Sequence, residues 1–279
     1  VTEVAVIGAR GFVGRALVAR LRRSGVVVDE LGRETPFAVD GVAHPNVARA
    51  STVFYLANSI NPAIAENDPA AVAADLATFA SFLGCLAGRD TLVVYPNSGG
   101  TVYDPAAPPP YTESSPVNPM NAYGRAKLAM ESSLLSSGLN AVSLRITSVY
   151  GPGQPAARGQ GVIAHWLAAA ARGEALKLFG DPSASRDYVY VDDVADAMAR
   201  VTPDAPRVVN VGSGVETTLG SLASLVSEVV GGVEVEQVPD RGFDVPRSWV
   251  DVSLAKASLG WEPVTSLRDG LARTWESVR

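Results

Sequence analysis

One cysteine, two histidines and the absence of any apolar run long enough to cross a bilayer are what this chain most conspicuously lacks. Cys85 alone cannot close an intramolecular disulfide and fits a reducing compartment, and with only His44 and His165 beside it there is no ligand set for a structural zinc. Cys85 itself sits in an apolar run and reads as packing. The longest apolar stretches, such as 162–171, are broken by His165 and too short to span a membrane, and no basic-then-apolar leader precedes the first strand. The expectation is a soluble, cytoplasmic protein. Positive charge is also scarce: 23 Lys and Arg against 29 Asp and Glu leave a net charge of −6, so no basic field draws nucleic acid or an anionic membrane. Charged residues reach only 19% while hydrophobic residues reach 47%, which excludes a disordered chain.

What is present is an alternation of short apolar strands and amphipathic helices. Residues 4–7 form a β-branched strand, and Val13, Ala16, Leu17 and Leu21 follow at the spacing of one helix face. Further strands are expected at 26–31, 52–57, 91–95, 144–146 and 208–211, with an Ala-rich helix over 70–86. Strand, helix, strand in repetition predicts an α/β fold, a Rossmann-type doubly wound parallel sheet with ligands at the carboxyl ends of its strands. The Gly-, Pro- and Arg-rich region between the last two strands predicts a smaller interleaved α/β substrate domain. The division expected is 1–152 with 187–212 returning to it, and 153–186 with 213–279.

Two motifs carry chemistry. The turn Gly8-Ala9-Arg10-Gly11-Phe12-Val13-Gly14 lies between the first strand and the first helix, where glycines let a backbone approach a pyrophosphate and helix N–H groups hold its charge. Far downstream, Tyr123 and Lys127 stand four apart in Tyr123-Gly124-Arg125-Ala126-Lys127, after a Pro- and Ser-dense loop, and share one helix face. A phenol and an ammonium over a nucleotide are the parts of a proton relay, because tyrosine with its ordinary pKa of about 10 needs a cation nearby to exchange protons at neutral pH.

With these motifs the chain resembles the extended short-chain dehydrogenase/reductase superfamily, in its NDP-sugar epimerase/dehydratase branch. Leu144-Arg145-Ile146-Thr147-Ser148-Val149-Tyr150-Gly151-Pro152-Gly153 is similar to that branch's substrate loop. So are Leu178-Phe179-Gly180-Asp181 with Arg186-Asp187-Tyr188, and Arg241-Gly242-Phe243-Asp244 with Leu259-Gly260-Trp261. The resemblance implies a dinucleotide held by Gly8, Arg10, Gly11, Phe12, Val13 and Gly14, with Leu56 and Ala57 ending a strand beside it. It implies Tyr123 and Lys127 as catalytic and ribose-binding residues. Ser148, Phe179, Arg186, Arg241 and Asp244 become contacts to a nucleotide-sugar substrate. It further implies a homodimer formed through the Tyr-bearing helix, with Ala126, Ala129, Met130 and Leu134 as contacts. His165 is expected to pack rather than act as a base, and Trp249, Trp261 and Trp275 to pack in a core or lid.

Two departures from the family pattern matter. At the end of the second strand, where NAD-using members place a carboxylate, this chain has Gly32 followed by Arg33, and Arg10 is a second cation in reach of a 2′-phosphate; that points to NADPH. The alternative is NAD, with Asp29 or Glu30 on the ribose. The family's catalytic Ser or Thr falls on Gly99, flanked by Ser98 and Thr101. An extended segment would turn Thr101 to the site, and a turn at the glycines would bring in Ser98. No carboxylate stands where the family's dehydratases use one. The leading expectation is therefore NADPH-dependent reduction of a nucleotide-linked, dTDP-type 4-keto-6-deoxysugar. An NAD-dependent NDP-hexose 4-epimerase is the alternative, and a non-catalytic dinucleotide-sensing regulator the second alternative.

Overall fold

A computed structural model describes residues 3–156, 161–240 and 245–279. Six parallel strands, β1 (Glu3–Ile7), β2 (Val27–Leu31), β3 (Thr52–Tyr55), β4 (Leu92–Ser98), β5 (Asn140–Ile146) and β6 (Val208–Val211), lie in the order 6-5-4-3-1-2. The chain leaves β1 toward β2 and then returns to the other side of β1 to make β3. The crevice of a doubly wound sheet forms at such a reversal, outside the carboxyl ends of the strands. The expected strand over 91–95 extends to Ser98 and that over 144–146 begins at Asn140, so the two pair along their whole lengths, from Leu92 opposite Asn140 to Ser98 opposite Ile146.

Period-two alternation sorts the β1 side chains between two apolar layers. Val4 and Val6 face Leu17, Val18 and Leu21 of α1 (Phe12–Arg23). Ala5 and Ile7 face the other way, in the layer that holds Phe79 and Phe82 of α2 (Pro69–Cys85) with Met130 and Leu134 of α3 (Ala122–Ser136). Cys85 packs against this second layer. Met130 and Leu134 are thus spent on the monomer's own core, and Ala126 is buried against Ile60 and Ala65. This corrects the sequence expectation that these three supply contacts to a second copy: of the four residues named, Ala129 alone is exposed.

A third apolar cluster, apart from the two layers of the main sheet, joins Tyr150, Ile163, Trp166, Leu176, Leu222 and Leu271. Around it, Leu176–Phe179 pairs with Val235–Val238, Ser185–Arg186 with Thr217–Thr218, and Ser148–Tyr150 with Tyr188–Tyr190. Asp187, 1% exposed, ties this region to the main sheet. Its carboxylate accepts from Ser213 N at 2.6 Å, Ser213 Oγ at 2.7 Å, Gly214 N at 3.1 Å and Thr147 Oγ1 at 3.2 Å. Among the described residues no helix is long and apolar enough to cross a membrane, and no group of side chains could hold a metal.

Candidate active site

Gly8, with φ +88, makes the turn out of β1, and a Cβ there would come within 2.8 Å of the Leu56 carbonyl carbon. A Cβ on Gly14 would fall 2.2 Å from the Gly8 oxygen. Both positions therefore require glycine, and Gly8 brings the turn against Leu56 and Ala57. The first residue before α1 is Gly11, which brings no side chain to cap the helix, while Phe12 and Val13 line the cleft. An uncapped helix N-terminus behind a glycine turn fits the pyrophosphate of a dinucleotide.

The end of β2 lies beside this turn, since Gly8 N donates to Leu31 O at 2.9 Å. Asp29 is withdrawn from it: its carboxylate accepts from Asn46 Nδ2 at 2.8 Å and Arg49 Nη2 at 2.9 Å. Glu30 pairs with Arg22 at 2.6 Å. For either carboxylate to hold a ribose it would have to leave an ion pair that is itself partly exposed. Arg33 is exposed, two residues beyond the end of β2. Arg10 pairs instead with Glu34, a residue that sequence reasoning passed over; both are about three-quarters exposed, so this pair is readily exchanged for a phosphate.

The N-cap of α3 is Asn121, whose side chain accepts from Gly124 N at 2.8 Å. Tyr123 and Lys127, one turn apart on a single face of α3, are 9% and 6% exposed. Lys127 Nζ donates to Pro96 O at 3.3 Å and lies 4.6 Å from the centroid of the Tyr95 ring. Burial, joined by the Asp75 charge, pushes the Tyr123 phenol up to about 12. Burial pulls the Lys127 ammonium down to about 8, with Asp75 opposing. Gly124 lets the start of the helix approach the turn after β4, because a Cβ there would lie 2.4 Å from Thr101 O.

That turn corrects the picture of an extended 98–101 segment. Thr101 N donates back to Ser98 O at 3.4 Å, the chain reverses, and Thr101 Oγ1 donates to Ser98 Oγ at 2.8 Å. The two hydroxyls that sequence left as alternatives form one pair on the cleft wall, with Tyr123. Gly99 faces away: its N–H donates to Ile146 O at 2.7 Å, and a Cβ would meet Arg145 O at 2.6 Å. Gly99→Ser, which restores the family's hydroxyl in sequence, is therefore expected to destabilise the protein by about 2 kcal/mol without raising turnover. Calorimetric melting and steady-state rates check both halves.

Asp75 was not foreseen. It accepts from Ser59 N at 3.0 Å, Ser59 Oγ at 2.5 Å and Ile60 N at 3.3 Å, and so fixes the loop on which Tyr123 packs. The available signal was an acid alone in a helix otherwise free of charge.

Across the cleft stand Ser148, Phe179 and Arg186. Ser148 N donates to Asp187 O at 2.9 Å and Arg186 Nη1 to Ser185 O at 2.7 Å, while Phe179 is 40% exposed at the mouth. Arg241 and Asp244 lie outside the described residues. Arg247, missed in the sequence, adds a cation to the wall; it pairs with Glu216 at 2.5 Å and stacks over Trp249 at 4.6 Å. His165, expected to pack in the second domain, is not buried there. It is exposed on the helix Val162–Ala171 and lines the cleft, because the apolar face of that helix is taken by Ile163, Trp166 and Leu167. Trp261 is a core residue, 1% exposed. The cleft measures about 2280 Å³, against roughly 300–1,000 Å³ for a single small-ligand pocket, which leaves room for two ligands end to end.

Residues 4–212 match the model of the NAD dependent epimerase/dehydratase family. The chain belongs to this family. It is 34% identical to UDP-glucose 4-epimerase of Mycolicibacterium smegmatis, with 98% of this chain and 97% of that protein covered. It is 31% identical to dTDP-6-deoxy-L-talose 4-dehydrogenase (NAD(P)(+)) of Kitasatospora kifunensis, with 98% and 94% covered. Among solved structures it is similar to UDP-glucose 4-epimerase from Thermotoga maritima with UDP-glucose, at TM-score 0.87, 30% identity and 98% and 97% coverage. The protein is thus an NAD(P)-dependent enzyme of the extended short-chain dehydrogenase/reductase type that modifies nucleotide sugars.

The turn 98–101 offers hydroxyls and no carboxylate. Asp75 and Glu131 have their oxygens taken by loop 59–60 and by Arg145, Ser143 and Asn97.

Proposed function

We propose that the protein reduces the ketone of a nucleotide-linked, dTDP-type 4-keto-6-deoxysugar to the corresponding alcohol, with NADPH as reductant. The observation that carries this reading is the end of β2, where Arg33 stands exposed while Asp29 and Glu30 each hold an ion pair with an arginine. A 2′-phosphate there meets Arg33 and, on displacing Glu34, Arg10. The nicotinamide, when bound, supplies the hydride. The Ser98–Thr101 pair orients the sugar oxygen, Tyr123 passes it a proton, and Lys127 holds the tyrosine and the cofactor ribose. Arg186 and Arg247 offer charge to the diphosphate, and Ser148 a hydroxyl to the sugar. The division of labour is a dinucleotide-binding domain, 1–152 with 187–212, and a nucleotide-sugar domain, 153–186 with 213–279.

The likeness to UDP-glucose 4-epimerase favours a second reading, an NAD-dependent NDP-hexose 4-epimerase. Titration with NADPH and with NADH separates the two. The expected result is preferential binding of NADPH, weakened at least about 10-fold in Arg33→Asp, the loss for a charge-assisted hydrogen bond to phosphate. Turnover of dTDP-4-keto-6-deoxyglucose with NADPH should accompany it. Tightly retained NAD⁺, indifferent to that substitution, would make the epimerase the better reading.

A further inference from the structure

Tyr123, Lys127 and Glu131 succeed one another at single helical turns on the inner face of α3, and the latter two reach the end of β4. Lys127 takes Pro96 O, and Glu131 takes the next residue, Asn97. Glu131 is 2% exposed and has little freedom: Oε1 accepts from Arg145 Nη2 at 2.6 Å, and Oε2 accepts from Asn97 Nδ2 at 2.7 Å, Ser143 Oγ at 2.6 Å and Arg145 Nε at 3.1 Å. Burial pushes its carboxyl up, yet Arg145, Ser143 and Asn97 together hold it below the ordinary value, so it stays an ionised acceptor. A carboxylate can only accept, which obliges Asn97 to present its amide nitrogen to Glu131 and its oxygen to the other side. That oxygen takes the N–H of Ser98 at 2.8 Å.

We propose that Asn97, oriented by Glu131, is a positioning residue that fixes the Ser98–Thr101 hydroxyl pair against Tyr123. The chain of contacts is continuous, from Glu131 through Asn97 to the Ser98 peptide and on to the Thr101 hydroxyl. The N–H of Gly99, held by Ile146 O at 2.7 Å, fixes the following peptide, so Ser98 is held on both of its flanks. Asn97 is only 4% exposed, in a strand whose neighbours Val93, Val94 and Tyr95 are apolar or aromatic. A buried polar network of this kind costs desolvation that an apolar residue would avoid, and what it provides is a single orientation. This inference rests on the reading above that the hydroxyl pair meets the reacting oxygen.

Asn97→Ala is the test, made in the full-length protein and again in a Ser98→Ala/Thr101→Val background. In the otherwise native protein kcat should fall about 10-fold or more, the scale of a displaced reacting group, with KM and NADPH affinity within about twofold. In the background lacking the hydroxyls the same substitution should cost less than about twofold, because Asn97 acts through them. An equal cost in both backgrounds, or none in either, overturns the proposal. A readout independent of the substrate is hydrogen exchange: amides 98–101 should exchange faster in Asn97→Ala with the rest of the sheet unchanged. Unchanged exchange at 98–101, or a rise spread over the whole sheet, overturns it. Asn97→Ser, read in the same way, serves if the alanine variant does not fold. A native protein that turns over no nucleotide sugar removes the functional reading, while the exchange measurement still decides the positioning.

Discussion

Tyr123→Phe is expected to lower turnover by about 10³-fold, within the 10² to 10⁴ that a positioned acid or base supplies, while NADPH binds within about threefold of the native affinity. The substitution removes one oxygen from a ring that is otherwise packed against Ile60, Ala65 and Ala126, so the fold and the glycine turn are untouched. With its pKa near 12 in the free protein, the phenol is fully protonated at neutral pH and ready to give a proton to an alkoxide. The alkaline side of the pH profile for reduction should therefore not report Tyr123. It should report Lys127, whose charge is lost as pH rises through about 8. Steady-state rates from pH 6 to 10 check this, together with cofactor titration of the variant. A phenylalanine variant that keeps a tenth or more of native turnover would remove Tyr123 from the chemistry.

Lys127→Met is expected to abolish most turnover and at the same time to stabilise the cofactor-free protein. Burial sets the lysine's pKa near 8 against an ordinary 10.5, a cost to folding of about 3 kcal/mol when the chain is charged in the unfolded state. The contact to Pro96 O and the Tyr95 ring is lost in the variant, which offsets about 1 kcal/mol and leaves a net gain of about 2 kcal/mol at neutral pH. The sign with pH follows from a folded value below the unfolded one. Over that interval the unfolded state binds more protons than the folded state, so native stability rises with pH. The cost of the lysine is complete below about pH 8 and disappears as pH climbs toward 10.5, so the advantage of methionine shrinks over the same window. Thermal melts of both cofactor-free proteins at pH 7 and pH 10 check it. A methionine variant that melts below the native protein at pH 7 would show that the ammonium is stabilised in place rather than held there at a cost for its chemistry.

Much of the framework was legible in the sequence because it depends on local rules. Period-two and 3.6 patterns gave the strand–helix alternation, and the glycines at 8 and 14 marked a turn that admits no Cβ. The four-residue step from Tyr123 to Lys127 put both on one helix face whatever the rest of the chain did. Other features depended on packing between distant segments. The residues Ala126, Met130 and Leu134, apolar on the helix and available by pattern for a partner, are consumed by the monomer's own layers. His165 looked like a core residue because its neighbours are apolar, yet the phase of its helix turns it to the cleft.

By itself, then, the sequence determined the glycine turn, the Tyr–Lys pair and the α/β sheet that holds them, since each is written in short-range spacing and in glycine's freedom of φ. Only the tertiary structure decided which groups complete the site. The approach of Gly99 to Arg145 O folds the chain back so that Ser98 and Thr101 meet. The docking of α3 on β4 joins Glu131 to Asn97. The packing of α2 brings the Asp75 charge to Tyr123 and Lys127. These are contacts between residues far apart in the chain, fixed by strand register and helix phase, and no local pattern encodes them.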